Sequence, residues 1–144
     1  MKPAAAIIPE RVLVTGASRG IGRAVALLLA ARGRRVAACG RDAAALSALV
    51  AESARENGAG RIVSVRGDLT HEHDRAQIVS GAELALGGID ALVLSAGVAR
   101  HAALGAVTPA DLDATLSANL VAPVLVAQHA LHKLTDGGAI VLLG

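Results

Sequence analysis

Not one phenylalanine, tyrosine or tryptophan occurs among the 144 residues. A core without rings must be built from Ala, Val, Leu and Ile, which pack densely but bury less area per side chain. A surface without rings has no platform on which an unpaired base could stack. Cysteine is almost absent too: Cys39 stands alone, so no disulfide can form within the chain, and its apolar neighbours mark it as a small packed hydrophobe. Basic residues exceed acidic ones only by 14 to 12, and Arg32, Arg34 and Arg35 form their one tight group, a poor footprint for nucleic acid. Although 53% of residues are hydrophobic and mean hydropathy is +0.55, no apolar run approaches the ~18 residues that cross a bilayer. Met1 to Pro9 carries one lysine and an apolar stretch too short for a secretory leader. The expectation is one soluble, cytoplasmic domain with no nucleic-acid or membrane partner.

What is present is a strand, a glycine turn and a helix in direct succession. Val12-Leu13-Val14 is followed by Thr15-Gly16-Ala17-Ser18-Arg19-Gly20-Ile21-Gly22 and then by the helical pattern from Arg23 to Leu29. In such a turn Gly16 makes the tight bend, Gly20 admits a pyrophosphate and Gly22 lets the helix pack closely on its strand. The helix aims its free N–H groups and positive end at the same pyrophosphate. Arg32-Gly33 ends that helix with a basic last turn and a C′ glycine, and a second strand, Arg34 to Cys39, leads into Gly40-Arg41-Asp42. About 20 positions after such a turn an acidic residue takes the ribose 2′-hydroxyl of NAD, whereas an arginine takes the 2′-phosphate of NADP. Arg41 stands there, Asp42 is better placed to cap the helix Ala43 to Asn57, and Arg19 can bring a second guanidinium to the same phosphate. The competing reading makes both arginines solvated loop residues.

Arg61 to Arg66 alternates polar and apolar residues as an edge strand does and closes in Gly67-Asp68-Leu69-Thr70. Asp68 lies at the strand end where open α/β sheets bind ligands; it either meets an adenine amino group or serves the turn. His71-Glu72-His73-Asp74 has the residue types of a metal site, but i and i+2 do not share a helix face and the four fall on a first helical turn, where acids suit the dipole. No metal is expected. That helix reaches about Leu86, Gly87-Gly88 ends it, and Ile89 to Leu94 is a fourth strand running into Ser95-Ala96-Gly97-Val98. Thr108-Pro109 with Asp111 opens a fourth helix that runs to about Lys133. Its stripe Leu112, Leu116, Leu120, Val124 and Leu131, widened by Val121 and Leu125, exceeds what one sheet face needs, so a second surface is expected against it. Pro123 inside the helix removes a donor and predicts a distortion near Asn119. Gly137-Gly138 reads as a turn and Ala139 to Leu143 as the fifth strand. Five strands alternating with four helices make an α/β, Rossmann-like, doubly wound parallel sheet of order 3-2-1-4-5.

The glycine turn, together with Asp68, Ser95-Ala96-Gly97 and Asn119-Leu120-Val121-Ala122-Pro123, resembles the N-terminal part of the short-chain dehydrogenase/reductase family. The likeness is strongest to its NADP-dependent 3-oxoacyl-carrier-protein reductase-like members. The resemblance implies that Gly16, Ser18, Arg19, Gly20, Ile21 and Gly22 hold the cofactor's phosphates and ribose. By the same resemblance Arg41 marks NADP, Asp68 and Leu69 meet the adenine, and Ala96 and Gly97 lie beside the nicotinamide ribose. Asn119 matches the family's catalytic asparagine, which holds a lysine through a water. A homo-oligomer and a small carbonyl or alcohol substrate are implied for the complete enzyme. Two departures stand out: the family's Asn-Ala-Gly is Ser95-Ala96-Gly97, and its catalytic serine and Tyr-x-x-x-Lys are expected beyond Gly144. Two readings follow. One is the cofactor half of an NADPH-dependent carbonyl reductase or alcohol dehydrogenase, truncated after the fifth strand; the other is a non-catalytic dinucleotide-binding module.

Overall fold

Alternate residues of an extended strand face opposite sides, and in β1 (Arg11–Thr15) this sends Val12 and Val14 into one hydrophobic layer and Leu13 into another. The computed structural model describes residues 8–55 and 60–144. Besides β1 it contains β2 (Arg35–Gly40), β3 (Arg61–Arg66), β4 (Ile89–Leu94) and β5 (Leu134–Leu142). All pair parallel in the order β3-β2-β1-β4-β5, as expected. Helices α1 (Gly20–Ala31) and α2 (Ala43–Arg55) bury Ala26, Ala30, Leu46 and Leu49 on the face carrying Val12 and Val14. On the other face α3 (Glu72–Leu86) buries Ile78, Val79, Ala82 and Leu86 with Leu13 and Leu92. A fully buried Leu, Ile or Val side chain stabilises by about 1.5–3 kcal/mol, so these two aliphatic layers replace the missing rings.

Local signals account for most boundaries. The Asp42 carboxylate accepts from the Ala45 N–H at 3.0 Å and caps α2; the expected end of that helix at Asn57-Gly58 lies outside the described residues. Gly33 and Gly87 close α1 and α3 in the left-handed region, at φ +81° and +74°. Arg32 is the C-cap of α1, so the expected basic last turn is not there. Thr108 and Asp111 form a reciprocal capping box at the start of α4 (Pro109–Ala130).

The distortion expected in α4 is a π-turn over Ser117–Val121, between α-helical halves Pro109–Leu116 and Ala122–Ala130. Pro123 has no N–H to give Asn119, four residues back, and just before it the Ala122 N–H reaches the carbonyl of Ser117. Helix α4 ends at Ala130, three residues before the expected Lys133: the Lys133 N–H bonds the Ala130 carbonyl at 2.9 Å in a tight turn. Although no uninterrupted apolar run is that long, α4 is by length and composition long and apolar enough to cross a membrane. Its second half packs Ala122, Val126 and Ala130 onto the sheet.

The expected start of the fifth strand at Ala139 is also corrected. Leu134 already pairs with Ile89, and Ala139 pairs with Ala91, so β5 carries three extra residues against β4. Gly137, at φ +80°, lets this bulge form without ending the strand. Beside it Asp90 clasps three elements: its carboxylate accepts from the Glu10 and Arg11 N–H groups at 3.1 and 2.9 Å, from the Arg11 guanidinium at 2.6 Å, and from the Thr135 hydroxyl at 3.0 Å. The Arg11 guanidinium holds this carboxyl far below the usual carboxylate range, overcoming its burial.

Candidate functional site

The cleft opens at the C-terminal ends of the strands, on either side of β1. Gly16 turns the chain at φ +69°, and a Cβ there would lie 2.7 Å from the Cα and N of Ala96, so only glycine lets the ends of β1 and β4 approach. Gly22 packs where a Cβ would lie 2.8 Å from the carbonyl carbon of Gly16; its place is beneath the turn. Gly20 has nothing within 4 Å of where a Cβ would stand. Helix α1 starts there with no side-chain cap and no acidic residue in its first turn, leaving its positive end without a carboxylate from the protein. Next to it the Ser18 Oγ is buried with no hydrogen-bond partner, a cost unless an added group supplies one. An uncapped helix end, an orphaned hydroxyl and an open glycine wall fit the phosphates of a dinucleotide.

A cavity of about 830 Å³ unites Gly16, Ser18, Arg19, Gly20, Ile21, Arg41, Asp68, Leu69, Ala96 and Gly97. Of the residues expected at the site, Gly22 and Asn119 are not on its wall. At the end beside β2 and β3 the Arg41 guanidinium is exposed and stands 3.5 Å from a carboxylate oxygen of Asp68. Burial raises the Asp68 carboxyl, but the N–H and hydroxyl of Thr70, at 3.0 and 2.7 Å, and the charge of Arg41 outweigh it and hold the group below its ordinary value. Asp68 therefore both closes the turn and lines the cavity. Its N–H donates to the Asp74 carboxylate at 2.8 Å, which occupies one member of the His71–Asp74 cluster; among the described residues no group of three potential ligands gathers around a metal position. Burial, with the nearby Asp74 and Asp68, pushes the Cys39 thiol on the cavity wall up to about 12, so it is neutral at physiological pH.

At the other end two residues act in ways the sequence reading did not assign. The buried Thr15 hydroxyl accepts from the N–H groups of Ser95 and Ala96, both at 3.2 Å, and ties the β4 loop to β1. With serine in place of the family's asparagine at position 95, the Thr15 hydroxyl holds this loop through its main-chain N–H groups. Thr15 sits in the glycine motif, and its position at a strand end was the available signal. Asn119 projects from the π-turn to Val98: its Oδ1 accepts from the Val98 N–H at 2.7 Å and its Nδ2 donates to the Val98 carbonyl at 2.8 Å. Both polar atoms of the side chain are engaged in clamping the loop beside Ala96-Gly97. Arg100 pairs with Asp111 at 3.1 Å, and His101 is exposed.

The sequence pattern of the short chain dehydrogenases matches residues 10–144. Over 134 residues the chain is 38% identical to D-threitol dehydrogenase of Mycolicibacterium smegmatis, covering 90% of this chain and 50% of that one. A dehydrogenase/reductase from Sinorhizobium meliloti superposes with a TM-score of 0.86 at 39% identity, over 92% of this chain and 52% of that one. A short chain dehydrogenase from Burkholderia cenocepacia, solved in complex with NADP, superposes with a TM-score of 0.83 at 37% identity, over 91% and 53%. The chain spans about half the length of the curated relatives it matches.

Proposed function

Because the chain belongs to the short-chain dehydrogenase family, we propose that it is the NADP-binding portion of an oxidoreductase that transfers hydride between NADPH and a carbonyl or alcohol substrate. The observation that carries the choice of NADP is the end of β2. Arg41 stands on the cavity wall there with Arg19 across the turn; of the two acids beside it, Asp42 caps α2 through one carboxylate oxygen and Asp68 is bonded to Thr70 and Arg41. The position that takes a ribose 2′-hydroxyl when it is acidic is held by an arginine here.

When bound, the dinucleotide supplies the hydride. The turn from Gly16 to Gly22 and the Ser18 hydroxyl receive its phosphates, Arg41 and Arg19 pair with the 2′-phosphate, and Asp68 with Leu69 borders the adenine. Thr15 and Asn119 hold the Ser95–Val98 loop, which positions the nicotinamide end and excludes water from one side of it. Self-association through the exposed face of α4 and a cytoplasmic location belong to the same reading. The deciding experiment is a titration of the 144-residue chain with NADPH and NADH. Two guanidiniums on one phosphate dianion are worth ~1.5–3 kcal/mol each, so Arg41→Ala should weaken NADPH binding about tenfold and leave NADH unchanged. Tighter NADH binding by the parent refutes the choice of NADP. A second reading, a non-catalytic dinucleotide-binding module, draws on the absence of tyrosine from these residues; whether a serine and then Tyr-x-x-x-Lys are encoded after Gly144 separates the two.

A further inference from the structure

Arg66 ends the edge strand β3 and was not among the residues expected at the site. It is the register partner of Gly40 at the end of β2, and its Nε donates to the main-chain carbonyl of Arg41 at 3.3 Å. Beside the dinucleotide cavity this joins the two strand ends around a side cleft of about 390 Å³, lined by Arg41, Arg66, Gly67, Asp68 and Asp74. The balance of charge decides what such a cleft accepts. With Arg41 as its sole cation, two carboxylates would leave it negative, and a phosphate dianion at its rim would be repelled. Arg66 brings the sum to zero.

We infer that Arg66 is a positioning residue for Arg41 and, through it and through its own charge, helps set the preference for a 2′-phosphate over a 2′-hydroxyl. The inference rests on the cleft being an NADP site. Its Nε bond fixes the backbone from which Arg41 projects, and its guanidinium offsets the carboxylate that Arg41 does not pair. Both arginines are exposed, so the effect is moderate and salt-dependent.

The test uses two fragments of the cofactor, adenosine 2′,5′-bisphosphate and adenosine 5′-monophosphate, titrated calorimetrically into the parent chain and into Arg66→Ala, Arg66→Lys and Arg41→Ala. Arg66→Ala should weaken the bisphosphate about five- to tenfold at low salt and change the monophosphate by less than about twofold. Arg66→Lys should restore part of the loss, since lysine keeps the charge but not the planar Nε–H fork. The salt dependence of bisphosphate binding should flatten in Arg66→Ala. Equal losses for both fragments mean a purely structural role, and no loss means no role; either overturns the inference. If the bisphosphate discriminates and Arg41→Ala abolishes that discrimination while Arg66→Ala does not, only the role of Arg66 falls. If the parent binds both fragments alike, the NADP reading falls and takes this inference with it. Should Arg66→Ala not fold, Arg66→Gln carries the same comparison with the side-chain length nearly kept.

Discussion

The wall formed by β1, α1 and the ends of β2 and β3 differs from the wall formed by α4 and β5 in how far this chain covers it. On the first, Thr15, Ala17 and Cys39 are all buried. On the second, Leu112, Leu116, Leu120 and Val124 along α4, and Val141 and Leu142 on β5, keep about half of their surface. Yet both walls draw on the same aliphatic residues. The first is completed by backbone geometry, with glycines at close approaches and a strand-end hydroxyl bridging β1 to β4. The second leaves large apolar side chains exposed on both α4 and β5. The contrast is between a region closed by its own backbone and one whose apolar side chains remain half exposed.

The sharpest test of that contrast is turnover. Hydride addition to a carbonyl leaves charge on oxygen that needs positioned donors and a proton. Asn119 has no proton to give at neutral pH and both its side-chain polar atoms are engaged with Val98; Lys133 is paired with Glu83; and no phenol exists in these residues. The missing general acid and oxyanion donor together correspond to about 10⁴-fold or more in rate. The 144-residue chain should bind NADPH yet oxidise it at background with ketones, aldehydes and β-ketoacyl thioesters. Ketone-dependent oxidation that disappears in Asn119→Ala would erase the distinction between the walls.

Next in size is damage to the finished wall. Gly16→Val puts a branched side chain at φ +69°, with its Cβ 2.7 Å from the backbone of Ala96, so the ends of β1 and β4 must part. A loss of about 3–5 kcal/mol in urea unfolding, with no measurable NADPH binding, is expected. Leu116→Ala on the exposed wall should change stability by less than about 0.5 kcal/mol. Similar losses at the two sites would show that the walls are equally organised.

Asp90 joins the two regions, through Arg11 and Glu10 on one side and Thr135 on the other. Its carboxyl lies lower in the folded chain than in the unfolded one, so its contribution is complete above the ordinary carboxylate value of about 3.9 and is lost as pH falls through the folded value. Asp90→Asn should cost about 2–3 kcal/mol at neutral pH and flatten the acid limb of stability. An unchanged acid limb would deny Asp90 this linkage.

The sheet order, the glycine turn and both helix caps were legible because each rests on a local rule: period-two burial, positive φ, a carboxylate at an N-cap. What was not legible depended on pairing between distant segments. The early start of β5 follows from register against β4 and from the Thr135–Asp90 bond, neither of which leaves a trace in the run of residues around Gly137-Gly138. Arg66 read as the polar residue of an alternating edge strand, and only the closeness of two strand ends gives it a second role. Asn119 is assigned a catalytic role by resemblance alone, and its two bonds to Val98 are a contact between segments 21 residues apart that the resemblance did not carry. Pro123 foretold the distortion but not the direction in which the side chain of Asn119 would point.

The smallest expected effect bears on that clamp. Asn119 is exposed, and its two bonds to Val98 are worth about 0.5–1.5 kcal/mol each at most, so Asn119→Ala should lower the melting temperature by no more than several degrees. It should loosen the loop that borders the nicotinamide end of the cavity. NADPH affinity then falls about three- to tenfold, while adenosine 2′,5′-bisphosphate, which has no nicotinamide, binds as before. Asn119→Asp refines the point: a carboxylate still accepts the Val98 N–H but cannot donate to the Val98 carbonyl, so its loss of affinity should fall between those of the parent and the alanine variant. If both ligands weaken together, Asn119 supports the whole cleft. If neither weakens, the Ser95–Val98 loop is held by Thr15 alone, and the second wall contributes nothing to holding the dinucleotide.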